Sequence, residues 1–364
     1  MASRRDELEL RLIARIGSEG PLTFRDFMEA ALYDPNHGYY QTGRRKIGPE
    51  GDYYTSSNVH PAFGAVLARA FVDLSGEIGA HDQLHTIVEM GAGTGRLAFD
   101  VLKALRERHP AFFQQVDYVI VEASEEMATR EREILVGLDD HVRWSSLAAL
   151  ERAPITGIFF SNELVDAMPV HRVRIKQSCL EEQYVTVGEG LMLRWGEPST
   201  PRLMNYFERT GVRLTEGQIA EINLDAIEWL ARVSGAIERG FLITIDYGDV
   251  SPLLYAEGRQ KGTLRSFYNH RLIDSPLERV GEQDITASVN FTALMEYGRH
   301  SDLETVSYER QVAFLVRMGL IEMIEERQDK SPSREELTER LALKNLFVPG
   351  GVSDNFRVLI QRKV

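Results

Sequence analysis

The sequence contains a single cysteine, Cys179, among its 364 residues. One cysteine cannot close a disulfide within the chain, and it leaves no second thiolate for a zinc cluster. We therefore expect no metal site, and a protein that works in a reducing compartment.

Long apolar runs are absent as well. No stretch approaches the roughly 20 apolar residues that are needed to cross a bilayer. Residues 1–11 mix acidic and basic side chains without the apolar core of a signal peptide. These features predict a chain without membrane insertion and with a cytoplasmic location.

Basic residues are in deficit, with 42 Lys and Arg against 55 Asp and Glu, a formal net charge of −13. Nucleic-acid-binding proteins normally carry a basic patch or stripe. The longest basic run here is residues 44–46, so we expect no nucleic-acid partner. An acidic surface attracts cationic partners, such as a protein substrate bearing arginine, although acidity also serves solubility alone.

The chain has no internal repeat, and from residue 85 onwards apolar strands alternate with amphipathic helices. This alternation predicts an α/β fold with a doubly wound, mostly parallel sheet. Strands of the core are expected at residues 85–90, 117–122, 141–144, 155–160, 241–246 and 356–361. Helices are expected at residues 8–16, 23–32, 61–78, 96–108, 125–135, 224–238, 291–299, 311–318 and 334–344.

A glycine-rich turn follows the first core strand, in the sequence Glu89-Met90-Gly91-Ala92-Gly93-Thr94-Gly95. Glycines in such a turn allow the backbone to approach a ligand closely. A dinucleotide-binding loop needs its third glycine at the sixth position, where Arg96 stands, so a dehydrogenase is disfavoured. Three alternating glycines after an acidic residue resemble instead the first motif of Rossmann-like methyltransferases.

Two acidic residues accompany this loop. Glu122 ends the next strand, where a carboxylate can accept hydrogen bonds from both ribose hydroxyls of a nucleoside; a solvated strand end is the alternative. Glu89 is expected either to contact the ligand or to cap the following helix.

Six ordered blocks extend the resemblance from about residue 27 to about residue 359, and they are similar to the MidA-like methyltransferases. The blocks are Phe27-Met28 with Leu32-Tyr33-Asp34-Pro35 and Gly38-Tyr39-Tyr40; Gly51-Asp52-Tyr53-Tyr54-Thr55-Ser56 with Phe63-Gly64; the glycine loop; Ser161-Asn162-Glu163 with Asp166-Ala167 and Pro169; Asp246-Tyr247-Gly248; and Gly262-Thr263-Leu264-Arg265 with His270, Gly281-Glu282, Asp284, Thr286, Val289 and Phe291. One departure is Asn290, where the family commonly has Asp.

The resemblance implies a class I, Rossmann-like fold, S-adenosyl-L-methionine as cofactor, and methyl transfer. Residues 1–80 are expected to form an N-terminal helical cap with loops that cover the cofactor. Residues 81–364 would form the core, with substrate-side insertions at about 170–240 and 250–290. Short strands are expected in the first insertion, and few regular elements in the second.

The mitochondrial branch of this family methylates arginine on a partner protein, so the resemblance implies an arginine acceptor, with a respiratory-complex subunit as one candidate partner. Two alternatives stay open. One is a small-molecule methyltransferase that uses the insertions as its pocket. The other is an assembly factor or chaperone for which the cofactor only stabilises the fold.

Side chains after the later strands suit an arginine acceptor, because carboxylates hold a guanidinium by paired hydrogen bonds and draw positive charge from the attacking nitrogen. Glu163 and Asp166, three residues apart, are expected to share one side of a helical turn and clamp the acceptor, with Asn162 orienting it. The alternative is that Asp166 caps the segment before Pro169 and that Glu163 is solvated. Asp246 either completes this pocket or only ends its strand. His270 is a candidate proton acceptor or a structural residue.

Two loops are dense in aromatic and turn-forming residues. Their aromatic faces could meet the sulfonium or the adenine of the cofactor, or could pack the N-terminal segment onto the core. The cofactor-binding residues expected there are Tyr40, Tyr54, Thr55 and Ser56.

Overall fold

The computed structural model describes residues 4–41, 60–79, 84–325 and 355–364. The helices of these residues, in chain order, are α1 Arg4–Glu19, α2 Phe24–Tyr33, α3 Ala62–Ile78, α4 Arg96–Arg108, α5 Pro110–Phe113, α6 Glu125–Ile134, α7 Leu147–Arg152, α8 Arg202–Thr210, α9 Leu224–Ala236, α10 Ser251–Leu254, α11 Phe291–Arg299, α12 Gln311–Arg317 and α13 Leu320–Glu325. The strands are β1 Leu22–Thr23, β2 His85–Met90, β3 Val116–Val121, β4 Val142–Ser145, β5 Ile155–Asn162, β6 His171–Lys176, β7 Cys179–Val187, β8 Leu191–Gly196, β9 Ile219–Ile222, β10 Ile237–Asp249, β11 Arg265–Tyr268, β12 Arg271–Ile273, β13 Asp284–Thr286, β14 Val289–Asn290, β15 Glu304–Arg310 and β16 Phe356–Lys363.

The chain packs as two compact units, each discontinuous in sequence. The first, here the sheet unit, comprises Tyr54–Leu164, Leu230–Tyr247 and Gly298–Val364. The second, here the insertion unit, comprises Met1–Tyr53, Val165–Trp229 and Gly248–Tyr297. Helix α3 belongs to the sheet unit, although it falls within the first 80 residues, for which the sequence predicted a separate cap.

The sheet unit is built on strands in the order β15-β16-β10-β5-β2-β3-β4. Strands β10, β5, β2, β3 and β4 are mutually parallel, and only β16 runs against its neighbours, since β15 and β10 both pair with it antiparallel. The strand of this sheet that comes first in the chain, β2, lies in the middle of the five parallel strands, so the chain order reverses beside it. Ligands of doubly wound sheets bind at the carboxyl ends of the strands at such a reversal.

One apolar core covers a face of this sheet, where side chains of α3 and α4 pack on the strands. Phe71 and Phe160 have ring centroids 5.0 Å apart in this core. The α/β, mostly parallel fold expected from the sequence is confirmed.

The insertion unit is mainly antiparallel. One sheet has the order β1-β7-β6-β9, with β8 also paired to β7, and a second has the order β12-β11-β13. Helices α1 and α2 pack in one apolar core of this unit, and α8 packs in another. The small second sheet corrects the expectation of few regular elements at 250–290. The helix expected at 334–344 lies outside the described residues.

Candidate active site

Parallel strands of the sheet unit bring the expected site residues to one edge. Met90 at the end of β2 lies beside Val121 of β3 and beside Ser161 of β5. Asn162 pairs in turn with Ile245 of β10. The glycine loop, Glu122, Asn162, Glu163 and Asp246 therefore all lie at the carboxyl edge, on four adjacent strands.

The glycine loop has a backbone that only glycine adopts readily. Gly91, Gly93 and Gly95 have φ angles of 78°, 60° and 76°. A methyl group on Gly91 would lie 2.9 Å from Cδ1 of Leu164. The left-handed backbone therefore disfavours any residue larger than glycine at these positions.

Helix α4 begins directly after this loop. Its N-cap is Gly95, which provides no side-chain hydrogen bond to the first turn. Uncapped N–H groups at a helix start favour an anionic ligand group, such as a carboxylate. The neighbouring Arg96 donates from Nε to the buried Asp100 at 2.9 Å along the same helix, so the sixth position of the loop carries an ion pair.

Glu89 lies in β2 and is 2% exposed. The hydroxyl of Tyr118 donates to its Oε2 at 2.6 Å. The pKa of Glu89 is raised to about 7. Burial is the main cause of the rise, the hydrogen bond from Tyr118 opposes it, and the charge of Glu122 adds to it. Glu89 therefore changes charge near neutral pH. The sequence did not suggest its hydrogen bond with Tyr118, and this contact differs from the helix-capping alternative.

Glu122 follows β3 and is partly exposed. Its Oε1 accepts the backbone N–H of Ser124 at 2.7 Å, and Ser124 is the N-cap of α6. This turn fixes the carboxylate beside the glycine loop, whose Gly91 N–H donates to the carbonyl of Val121.

Glu163 has a left-handed backbone, with φ of 52°, immediately after β5. A residue with a Cβ pays about 1–2 kcal/mol for this conformation, and such outliers cluster at functional sites. Its backbone N–H still donates to the carbonyl of Ile245 at 2.9 Å. Residues 163–166 form bends and a turn, so the helical turn expected there is wrong.

Asn162 orients this carboxylate. Its Nδ2 donates to Oε1 of Glu163 at 3.1 Å. Its Oδ1 is buried and accepts no hydrogen bond from the residues that the structure describes. A buried acceptor without a donor is costly, so a ligand N–H placed there would be favoured.

Asp246 is fully buried in β10. Its Oδ1 accepts the backbone N–H of Tyr247 at 2.8 Å. The residue is thus held one strand away from Asn162, in line with the expectation that it belongs to the same edge of the sheet.

The other expected site residues belong to the insertion unit or lie outside the described chain. Tyr40 donates to Oδ1 of Asp284 at 2.7 Å and stacks on Tyr33, both within the insertion unit. Asp166 is 7% exposed, and its carbonyl accepts the N–H of Ala287. His270 lies exposed in the two-residue turn between β11 and β12, with φ of 59°. Residues 54–56, expected to contact the cofactor, are outside the described residues.

Asn290, the departure from the family pattern, is a buried structural residue of the insertion unit. Its Nδ2 donates to the hydroxyl of Tyr206, and its Oδ1 accepts from Oγ of Ser251. A neutral amide satisfies both partners.

These features fit S-adenosylmethionine. Its amino-acid carboxylate suits the uncapped start of α4, its ribose suits Glu122, and an N–H donor suits the buried oxygen of Asn162.

Comparisons with known proteins agree with this geometry. A family model described as S-adenosyl-L-methionine-dependent methyltransferase matches residues 66–308. The chain is 26% identical over 344 residues to the protein arginine methyltransferase NDUFAF7, mitochondrial, of Rattus norvegicus, covering 85% of this chain and 73% of that one. For the human protein of the same name, identity is 24% over 345 residues, covering 88% and 75%.

Solved structures are similar too. A COG1565 superfamily member from Burkholderia thailandensis, bound to S-adenosyl-homocysteine, superposes with a TM-score of 0.90. It is 30% identical, and the alignment covers 99% of this chain and 92% of that one. The cofactor expected from the sequence is confirmed.

The cytoplasmic location expected from the sequence is contradicted, because the curated relatives are mitochondrial proteins. Composition could not reveal this, since it reports a reducing compartment and not an organelle. Among the described residues, no helix is both long enough and apolar enough to cross a membrane.

Proposed function

The chain belongs to the family of S-adenosyl-L-methionine-dependent methyltransferases, and we propose that its methyl acceptor is a guanidinium nitrogen of arginine in a partner protein. The observation that carries the proposal is the Asn162–Glu163 pair at the carboxyl edge of the sheet. The names of the curated relatives, protein arginine methyltransferases, support the same acceptor.

A guanidinium is protonated at ordinary pH, so its nitrogen is a poor nucleophile until its charge is localised. A carboxylate that accepts two of its N–H groups holds the positive charge on the bound side and leaves another nitrogen able to attack. Bound S-adenosylmethionine supplies an electrophilic methyl group on a sulfonium sulfur. The nitrogen–carbon bond forms as the sulfur–carbon bond breaks, and one proton leaves the nitrogen.

Glu163 is our candidate for the residue that holds the guanidinium and receives this proton. Asn162 fixes the Glu163 carboxylate through its 3.1 Å hydrogen bond, and the backbone of Glu163 is left-handed directly after the strand. The buried Oδ1 of Asn162 can accept an N–H group of a ligand. Asp246 is the further proposed carboxylate of the acceptor site.

The test is transfer of labelled methyl groups from S-adenosylmethionine to proteins of a host-cell or organelle lysate. The wild-type protein should label a protein band that yields methylarginine on hydrolysis. Glu163→Gln should retain cofactor affinity and lose at least tenfold in turnover. The matched control is Glu151→Gln, which removes a carboxylate of the same unit that pairs with Arg232 on the surface, and it should leave turnover unchanged.

Label in a small-molecule fraction would replace the proposal with a small-molecule methyltransferase. Cofactor binding without any transfer would favour the assembly-factor alternative. Unchanged turnover in Glu163→Gln would remove Glu163 from the mechanism.

A further inference from the structure

Glu131 is a buried acid that the mechanism above does not use. It lies in α6 and is completely buried. The indole Nε1 of Trp144 donates to its Oε2 at 2.7 Å. Its other oxygen, Oε1, is buried and receives no hydrogen bond from the part of the chain that the structure describes. An ionised carboxylate left in this state would carry a large desolvation cost.

The glycine loop packs directly on this residue. A methyl group on Gly95 would lie 3.0 Å from Cα of Glu131 and 3.3 Å from its Cβ and Cγ. Gly95 is also the residue at which helix α4 begins. Glu131 therefore supports the backbone turn that is expected to hold the cofactor.

The side-chain carboxyl groups of Glu131 and Glu122 are within hydrogen-bonding contact of each other. Two ionised carboxylates offer only acceptors and repel each other. The contact becomes a hydrogen bond when one of them carries a proton. Glu122 already accepts the N–H of Ser124 and needs a negative charge to accept ribose hydroxyls well, so the proton belongs on Glu131.

We propose that Glu131 is a positioning residue that keeps a proton on its buried carboxyl group and donates it in a hydrogen bond to Glu122, which it thereby fixes for binding the ribose of the cofactor. This inference rests on the proposed ribose-binding role of Glu122. It does not depend on the identity of the methyl acceptor.

The electrostatic surroundings favour the protonated acid. The pKa of Glu131 is raised to about 8. Burial is the main cause of the rise, the Trp144 N–H opposes it, and the charges of Glu122 and Glu89 add to it. Tyr118 faces the same cluster, and its own pKa is raised well above the usual value by burial and by the nearby Glu89 and Glu131. Glu131 is therefore mostly protonated at pH 7 and ionises as the pH rises beyond about 8.

The first test uses the protein without ligand. The folded state keeps a proton that the unfolded chain releases near pH 4.5, so the stability of the wild-type protein falls as the pH rises towards 8. Glu131→Gln keeps a neutral donor of similar shape and cannot ionise. It should flatten this fall and raise the thermal midpoint relative to wild type at pH 8.5 more than at pH 5.5. Glu133→Gln, on the exposed side of the same helix, should follow the wild-type profile.

The second test is calorimetric binding of S-adenosyl-homocysteine between pH 6.5 and 9.5. Wild-type affinity should fall by up to about tenfold per pH unit beyond the ionisation of Glu131. Glu131→Gln should match wild type at pH 7 and change by less than about twofold up to pH 9.5, since its amide has no proton to lose. A tenfold loss at pH 7 in Glu131→Gln, or a profile parallel to wild type, would overturn the proposal.

Two further variants keep these outcomes separable. Trp144→Phe removes a donor that stabilises the ionised form of Glu131, so the alkaline loss of affinity should move to higher pH. An unchanged pH profile of affinity would contradict the proton shared by Glu131 and Glu122. This variant keeps the test available even if Glu131→Gln fails to fold. Glu122→Gln tests the ribose role itself. Unchanged affinity in Glu122→Gln would refute the role of Glu122, whereas the ligand-free stability profiles would still report on the proton of Glu131.

Discussion

The hydroxyl of Tyr118 donates a 2.6 Å hydrogen bond to Oε2 of Glu89, and neither side chain is accessible to solvent beyond 2%. The two residues lie on adjacent parallel strands, β3 and β2. Burial makes the ionised form of Glu89 costly, and one neutral donor offsets only part of that cost. The first core strand thus ends in a carboxyl group whose charge responds to pH in the neutral range.

Stability should consequently fall as the pH rises through this range. The folded pKa of Glu89, about 7, lies above its ordinary value of 4.5, so between these values the folded state holds a proton that the unfolded chain has lost. The sign of the linkage makes the free energy of unfolding decrease with pH. At about 1.4 kcal/mol per pH unit, the contribution of Glu89 lost between pH 4.5 and 7 is about 3 kcal/mol.

Glu89→Gln removes that contribution, and urea unfolding at pH 5 and pH 8 measures it. The free energy of unfolding of the variant, measured relative to wild type, should be larger at pH 8 than at pH 5. Glu131 adds a fall of the same sign up to about pH 8, so some slope should persist in the variant. Equal differences from wild type at both pH values would show that Glu89 is ionised throughout.

The glycine loop should tolerate no side chain at its last glycine. Gly95→Ala forces a left-handed alanine, at about 1–2 kcal/mol, and also crowds the backbone of Glu131. Gly137→Ala is the matched control, because its φ is 83° and nothing lies within 4 Å of the added methyl. Gly95→Ala should lose more stability than Gly137→Ala in thermal unfolding, because only its methyl group crowds a neighbouring backbone. Only Gly95→Ala should lose at least tenfold in affinity for S-adenosyl-homocysteine; equal affinities would show that the contact with Glu131 is not needed.

The side chain of Glu163 should be dispensable for folding but not for methyl transfer. Glu163→Gly removes the strain, offset in part by the greater entropy of glycine in the unfolded chain. We expect stability within about 1 kcal/mol of wild type and loss of methyl transfer. Gln177→Gly, at φ of 51° in the turn between β6 and β7, should be equally stable and fully active. Activity retained in Glu163→Gly would show that the strained backbone carries no catalytic group.

His270 should be dispensable for transfer. It occupies an exposed hairpin turn in which Asn269 and His270 both have positive φ, a conformation that two-residue hairpins require. His270→Asn keeps a residue that tolerates this backbone, and we expect turnover within about twofold of wild type across pH 6–9. A tenfold loss of turnover in His270→Asn would instead assign a catalytic role to His270.

The sequence by itself determined the pattern of the core. Apolar strands, amphipathic helices and the glycine loop are local signals, and β2, α3, α4, β3 and α6 begin and end within about two residues of their expected bounds. Strand β15, in contrast, was missed because all of its side chains are exposed or partly exposed and give no apolar alternation. Helix α8 was also missed, although Leu203, Tyr206 and Phe207 bury one face with helical spacing.

Part of the site was equally local. Residues that end parallel strands meet at one edge of the sheet, so the positions of Glu122, Asn162, Glu163 and Asp246 along the chain are enough to group them. The left-handed turn at Glu163 could not be predicted, because it follows from pairing of its N–H with Ile245, a residue more than 80 positions away.

Only the tertiary structure separated one acid from another. In the helix Glu125–Ile134, glutamates at several positions are alike in sequence, and helical periodicity does not mark Glu131 as the one that becomes completely buried. Its burial follows from contacts with Gly95 and Trp144, which come from other elements of the sheet unit. Local sequence sets which backbone forms, but the charge of a carboxyl group depends on the solvent it loses and the groups it meets, and both are decided only when distant segments pack together.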